Sequence, residues 1–311
     1  MALWLLWSAE PVLAQTVTVS GSATYSQGKY IFAEAYESWA WLGSLSVDWR
    51  RATLSVSVPL VAQNGTVLSR VAGAAIPTGG PESGVVQRRQ GGEPVRVRSG
   101  RRIGGSGSAS SVAMSVAMED PVDPSIASRR QSAPTDTAMV SGPGSFDVNI
   151  ADPLFGGSVT ALESADRRQS LSLEAWVKAP MAPTSSGVST GAWDYAVGAT
   201  TGLSNGRLHV SSSATWWVLG DLPDLPLRDA LFYSVGLGAS IGSRWGTQAS
   251  LSGATRVIEQ TEPPVSAAVA LYHHSARSSV GINVGVGLTE SAAAYTLGLS
   301  VSARARRSTD R

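Results

Sequence analysis

The chain has 311 residues, no cysteine, a formal net charge of +1 and only 15% charged residues, against about 25% in an ordinary soluble domain. The lack of cysteine excludes disulfides, thiolate metal sites and cysteine nucleophiles. The near-zero charge gives no electrostatic ground for a nucleic-acid partner. With 33 Gly, 10 Trp and only 4 Phe, the composition suits a β-wall ringed by interfacial aromatic residues better than a phenylalanine-packed core.

Residues 1–14, "MALWLLWSAEPVLA", read as a signal peptide. An apolar run from Ala2 to Trp7 precedes the small-residue site Val12-Leu13-Ala14, which predicts Gln15 as the mature N-terminus. Beyond it no stretch has 18 continuous apolar residues, so membrane-spanning helices are not expected. Residues 15–62 carry three segments of alternating pattern, near 16–25, 38–49 and 51–62. In the third, Leu54, Val56, Val58 and Leu60 oppose Thr53, Ser55 and Ser57. Residues 63–145 have no such period. They are rich in Gly, Ser and Arg, with nine Arg against six acids, and Pro121, Pro124 and Pro134 break regular elements. This predicts a long, disordered or mobile extracellular loop, with an Arg-rich surface for lipopolysaccharide phosphates as the second reading and an inward-folded plug as the third.

Alternation resumes over 146–305, near 146–161, 168–179, 191–202, 206–218, 229–242, 246–258, 264–273, 277–288 and 293–305, before a polar tail at 306–311. In the last segment Tyr295, Leu297, Leu299, Val301 and Ala303 alternate with Thr296, Gly298, Ser300, Ser302 and Arg304. Successive strand side chains point to opposite faces, so each segment has an apolar and a small polar face. Most segments exceed the ~5–6 residues of a soluble strand and match the ~9–11 needed to cross a membrane at a tilt. The early connections also alternate between long and short. The predicted fold is an all-β transmembrane antiparallel up-and-down barrel of about twelve strands in the outer membrane of a Gram-negative bacterium. Lipid would meet its apolar face, and Ser, Thr and Gly would line the lumen. Outer-membrane lipid, lipopolysaccharide and the barrel-assembly machinery are the expected partners, with a small-molecule solute.

Charged residues on the polar face are the candidate functional residues. Glu174 and Lys178 on one strand, Asp194 on the next, and Arg207 and His209 on the one after form a possible ladder across the wall. Such a ladder either orients the polar end of a solute at a constriction or simply rigidifies the wall by cross-strand pairing. Enzyme signals are weak. His273 and Ser275 share a strand face, as the base and nucleophile of an outer-membrane lipid hydrolase do, but no acid is placed to orient the imidazole. No catalytic residue, metal ligand set or cofactor is assigned, since adjacent His273 and His274 would point apart and "GGSGSASS" lacks a phosphate-binding lysine. Passive passage of a small compound is the leading functional reading. A closed barrel serving as surface structure or adhesin through 63–145 is the alternative, and a hydrolase the third.

One stretch carries a family resemblance. In "LSLEAWVKAPMAPTSSGVSTGAWDYAVGAT" (171–200), a strand ending in Lys178-x-Pro180 is followed by Thr190-Gly191-x-x-Asp194. "DPLFGGSVTAL" (Asp152 to Leu162) precedes it, and "WRRATLSVSVPLVAQNG" (Trp49 to Gly65) lies earlier. These resemble the outer-membrane barrels described as the MetA-pathway-of-phenol-degradation, SphA-like family. The resemblance implies an outer-membrane barrel tied to uptake of small, often aromatic or apolar, compounds. The chain departs from the usual pattern in ending "RARRSTDR" rather than on an aromatic residue, so the assembly machinery would read Leu299 and Val301 internally.

Overall fold

The computed structural model describes residues 16–30, 35–64, 68–71, 74–77, 146–222, 226–259 and 261–306. The stretch read as a signal peptide, most of the Arg-rich connection and residues 307–311 of the polar tail lie outside the described residues. No described helix is long and apolar enough to cross a membrane, and the architecture is β.

The strands are β1 (Thr16–Gly28), β2 (Tyr36–Trp49), β3 (Ala52–Gln63), β4 (Leu68–Val71), β5 (Ala74–Pro77), β6 (Asp147–Ile150), β7 (Leu154–Glu163), β8 (Gln169–Lys178), β9 (Asp194–Asn205), β10 (Leu208–Val218), β11 (Ala230–Ile241), β12 (Trp245–Ala254), β13 (Val265–His274), β14 (Ser278–Gly287) and β15 (Tyr295–Arg306). Thirteen of them form one antiparallel sheet, in which β1 pairs with both β2 and β15 and β3 with both β2 and β7. The sheet is therefore closed. Because β6 and β7 both lie along β3, they make one stave of the wall, and the barrel has twelve.

The stave of β6 and β7 is broken at Ala151–Pro153. β3 pairs with β7 across 52–57 and with β6 across 60–63, and the Ala151 N–H bridges the gap to the Pro59 carbonyl at 2.9 Å. Pro153 has no N–H to give a ladder, so the interruption falls where the sequence cannot continue one. Next to it, β8 ends at Lys178 opposite Leu154. β6 consequently has no strand on its far side among the described residues.

The faces sort as alternation requires. Leu54 is 67% exposed and Val58 46%, while Ser57 between them is 8%. Outward Leu, Val and Ile of this kind recur on every full-length strand from β7 to β15. A belt of exposed apolar side chains around a closed barrel is a lipid-contacting surface. Aromatic residues cluster at its two rims. Tyr25 packs on Trp39 with ring centroids 5.0 Å apart, Trp39 stacks on Trp41 and Trp193 on Tyr195 at one end. Trp49 closes β2, and Trp245 meets His273, at the other.

Connections at the two ends differ all around the barrel. At the turn end they span 50–51, 164–168, 206–207, 242–244 and 275–277. At the loop end they span 29–35, 64–146, 179–193, 219–229, 255–264 and 288–294. The alternation expected from the early part of the chain thus extends to its end. Two differences from the sequence reading are informative. β9 begins at Asp194 rather than 191 and runs to Asn205, because the turn is the Gly206-Arg207 pair, with Gly206 at φ 61°. The stretch read as lacking strands holds the short β4–β5 hairpin, whose Leu68 and Ile76 are each 2% exposed.

The inward face is built of small hydroxyl and glycine residues. Hydroxyls on neighbouring strands bond one another, as in Ser44–Ser57 at 2.8 Å, Ser213–Ser234 at 2.8 Å and Ser252–Ser266 at 3.1 Å. Where a larger side chain points inward, a glycine on the adjacent strand receives it. The Trp176 ring lies over Gly156, and the Asn283 amide lies over Gly298. Each of these glycines has no room for a methyl group.

Candidate functional site

Four neighbouring strands, β8 to β11, set the site. On β8 the inward positions are Ser170, Ser172, Glu174, Trp176 and Lys178, in order toward the loop end. On β9 they begin Asp194, Ala196, Gly198. On β10 they end Thr215, Trp217, and on β11 they begin Ala230, Phe232. The lumen changes character along this patch, from hydroxyls through one carboxylate and an aromatic layer to a buried ion cluster.

The aromatic layer is the foot of an apolar cluster. Trp217 meets Phe232 edge-on at 6.5 Å between centroids. Ala196, Ala230 and Ala254 join them, and Leu154, Trp176 and Phe232 pack against the cluster. From the connections above come Leu219, Leu222, Leu227, Val257 and Ile258, and from β5 comes Ile76. Three loop-end segments therefore fold over the lumen and bury apolar side chains against the inner wall. Removal of these side chains from water is the force that holds them there.

Lys178 lies beside this layer and is 2% exposed. Its ammonium stands 2.8 Å from Asp194 Oδ2 and 3.6 Å from Asp152 Oδ2, and it donates to Thr190 Oγ1 at 2.6 Å. Asp152 accepts the Met181 and Ala182 N–H groups at 2.9 Å each and the Ser189 hydroxyl at 2.5 Å. Asp194 Oδ1 accepts the Gly220 N–H at 2.9 Å. One buried cation thus serves two buried carboxylates, which take further hydrogen bonds from the 179–193 and 219–229 connections. Such a cluster is tolerated because each charge is both paired and hydrogen-bonded. It ties the break before Pro153, the end of β8, the start of β9 and two connections into one unit. Gly191 turns the chain into this unit at φ 71°, and Pro180 follows Lys178 out of the strand.

Glu174 stands below, toward the hydroxyl-lined lumen, where Thr215 Oγ1 donates to its Oε1 at 2.6 Å. Arg207 and His209 lie at the turn end of the barrel. Arg207 occupies the β9–β10 turn and is exposed, and His209 Nδ1 shares a hydrogen with Ser204 Oγ at 2.7 Å. Of the five charged candidates the structure joins Lys178 with Asp194, keeps Glu174 on the same strand face, and sets Arg207 and His209 at the far rim.

His273 packs against Trp245 at 4.8 Å between ring centroids. The Ser275 hydroxyl is shared with Ser278 Oγ at 2.7 Å in the following turn. Among the described residues no group of three His, Asp or Glu side chains is placed to hold a metal ion.

Sequence reasoning passed over Trp176, Trp217, Phe232 and Asp152 as site residues. The signal for the first three was available: each is a bulky aromatic at a position whose face otherwise carries polar residues or glycine. Asp152 gave no such signal, since its role depends on the chain break beside it.

No family model matches the chain, and no curated protein matches it. Among solved structures it is similar to an outer-membrane channel from Pseudomonas putida F1, at 11% identity and a TM-score of 0.53, over 96% of this chain and 97% of that one. More distant likenesses are to a KdgM porin (7% identity, 92% and 98% covered, TM-score 0.45) and to the Pseudomonas putida toluene transporter TodX (9% identity, 94% and 88% covered, TM-score 0.38). The first likeness concerns the fold. Together with the lipid-type outer face, the aromatic rims and the two unlike ends, it identifies the chain as an outer-membrane β-barrel of twelve strands.

Proposed function

We propose that this barrel lets a small solute with an apolar or aromatic body pass passively across the outer membrane. The observation that carries the reading is the apolar layer built on Trp217, with Trp176 and Phe232 half-buried at its edge, above a stretch of inner wall made mostly of hydroxyls and glycines. The layer anchors the overlying connections, and where Trp176 and Phe232 stay half-buried an apolar solute leaving water gains about 25 cal/mol for each Å² it buries there. The resemblance of 171–200 to the SphA-like barrels supports the same solute class. Lys178, Asp152 and Asp194 act in this reading as the brace that holds the overlying connections in place. Lipid and lipopolysaccharide surround the barrel, and the assembly machinery inserts it.

The test is passage through liposomes that carry the purified mature protein. A small aromatic should enter faster than a sugar of similar size, and planar bilayers should show small, discrete conductance steps. A folded barrel that passes neither probe is a closed one, and a role as surface structure through residues 63–145 would replace this reading.

A further inference from the structure

We infer that the lumen holds a subsite for an amphiphilic cation, with an apolar or aromatic body on the half-buried rings of Trp176 and Phe232 and a protonated amine on the Glu174 carboxylate. This rests on the function proposed above and narrows it to a substrate class.

Register brings the parts together. Glu174 and Trp176 are successive inward residues of β8, and Thr215 and Trp217 are successive inward residues of β10. Phe232 on β11 is the register partner of Thr215. β9 passes between β8 and β10 and contributes Gly198 at this level, opposite both Glu174 and Thr215. A methyl group there would stand 2.6 Å from the Thr215 hydroxyl and 2.9 Å from the Glu174 carboxylate. The glycine is what allows the carboxylate to lie across the strand and meet its donor directly beneath the aromatic layer.

The electrostatics then select the ligand's charge. Among the described residues Glu174 is the one charged side chain on the inward face between the two rims. Its inward neighbours on the turn side are Ser172, Thr200 and Ser213. Lys178, four residues along the same strand and so roughly 13 Å away at ~3.3 Å per residue, is committed to Asp194 and Asp152. Thr215 is neutral and engages Oε1 alone. Among the described residues the carboxylate therefore has no cation beside it, and a fixed charge on a confined wall draws mobile charge of opposite sign. A solute bearing a carboxylate meets the same charge as repulsion.

Three probes of one size decide it: phenethylammonium, phenethyl alcohol and phenylacetate, compared for entry into proteoliposomes and for block of the ion current. The expected order is amine, then alcohol, then acid. Amine and alcohol should differ by roughly tenfold, the effect of about 1.4 kcal/mol. Glu174→Gln should bring the amine down to the alcohol and leave the alcohol unchanged. Thr215→Val, which keeps the carboxylate but frees it from its donor, should keep the order and alter its size. Folding of each variant is checked by heat-modifiable gel migration. An amine preference that survives Glu174→Gln overturns the subsite while the function above stands. If no probe passes faster than a sugar, that function fails. Quenching of tryptophan fluorescence by phenethylammonium then tests the subsite alone, and equal quenching in wild type and Glu174→Gln rejects it.

Discussion

At the scale of single residues, Lys178 is where the largest effect is expected. Lys178→Met leaves Asp152 and Asp194 buried without a cation, and breaking a buried ion cluster in this way costs about 3–5 kcal/mol. The double variant Lys178→Met with Asp194→Asn should recover part of that loss, read as the urea midpoint of unfolding in detergent. Glycines of the inner wall make a different prediction. Gly298→Ala forces the Asn283 amide off the wall and into the lumen, so single-channel conductance should fall while stability changes little. Lys178, Thr190 and Asp194 were legible in the sequence as a spaced pattern. Their burial was not, because it comes from Asp152 and from N–H groups of connections that carry no period. The same pattern read from sequence alone fits a wet ladder equally well.

At the scale of elements, alternation made the strands legible and left the connections dark. Each strand's inside and outside follow from the two-residue period, which local sequence alone dictates. The contrast of Leu237 and Gly236 tests those faces. Leu237 is 55% exposed on the outer belt, and Leu237→Arg should cost ~2–4 kcal/mol by the scale for midplane charges. Gly236→Ser meets the mobile end of Gln248 at 2.7 Å and the Ser211 hydroxyl at 2.9 Å. It should cost far less, since the amide can swing away. Equal losses in a folding assay would mean the outer belt does not meet lipid. Leu219, Leu222, Leu227, Val257 and Ile258 had no comparable signal. They sit in irregular chain, and what buries them is a layer assembled from several strands at once, which no local period records.

At the scale of the whole molecule, the two ends differ in material as well as in length. The nine arginines of 63–145 belong to a loop-end connection. Protease added to intact cells should cut between Arg88 and Arg130 and spare the turn at Gly206. Cleavage near Arg88–Arg130 only after permeabilisation would reverse the orientation. Fold class was readable at this scale because length, loop order and composition all agreed, while the inward packing of three connections was not encoded in any of them.

The order of strand pairing has one further consequence. Every hairpin of the wall joins near neighbours in sequence except at two seams, β3 against β6 and β7, and β1 against β15. The molecule is thus a three-strand ribbon and a nine-stave ribbon sewn edge to edge, with the longest connection linking them across one seam and sending Ile76 into the apolar cluster. A tether that long raises the local concentration of the two edges modestly, and its loss is an entropic penalty that grows only slowly with length. Two separate polypeptides, broken within 78–145, should therefore still assemble into one barrel when made together. Coexpressed halves that recover full heat-modifiable mobility would establish this, and the seam would then be a place where the protein can be divided and a second chain inserted.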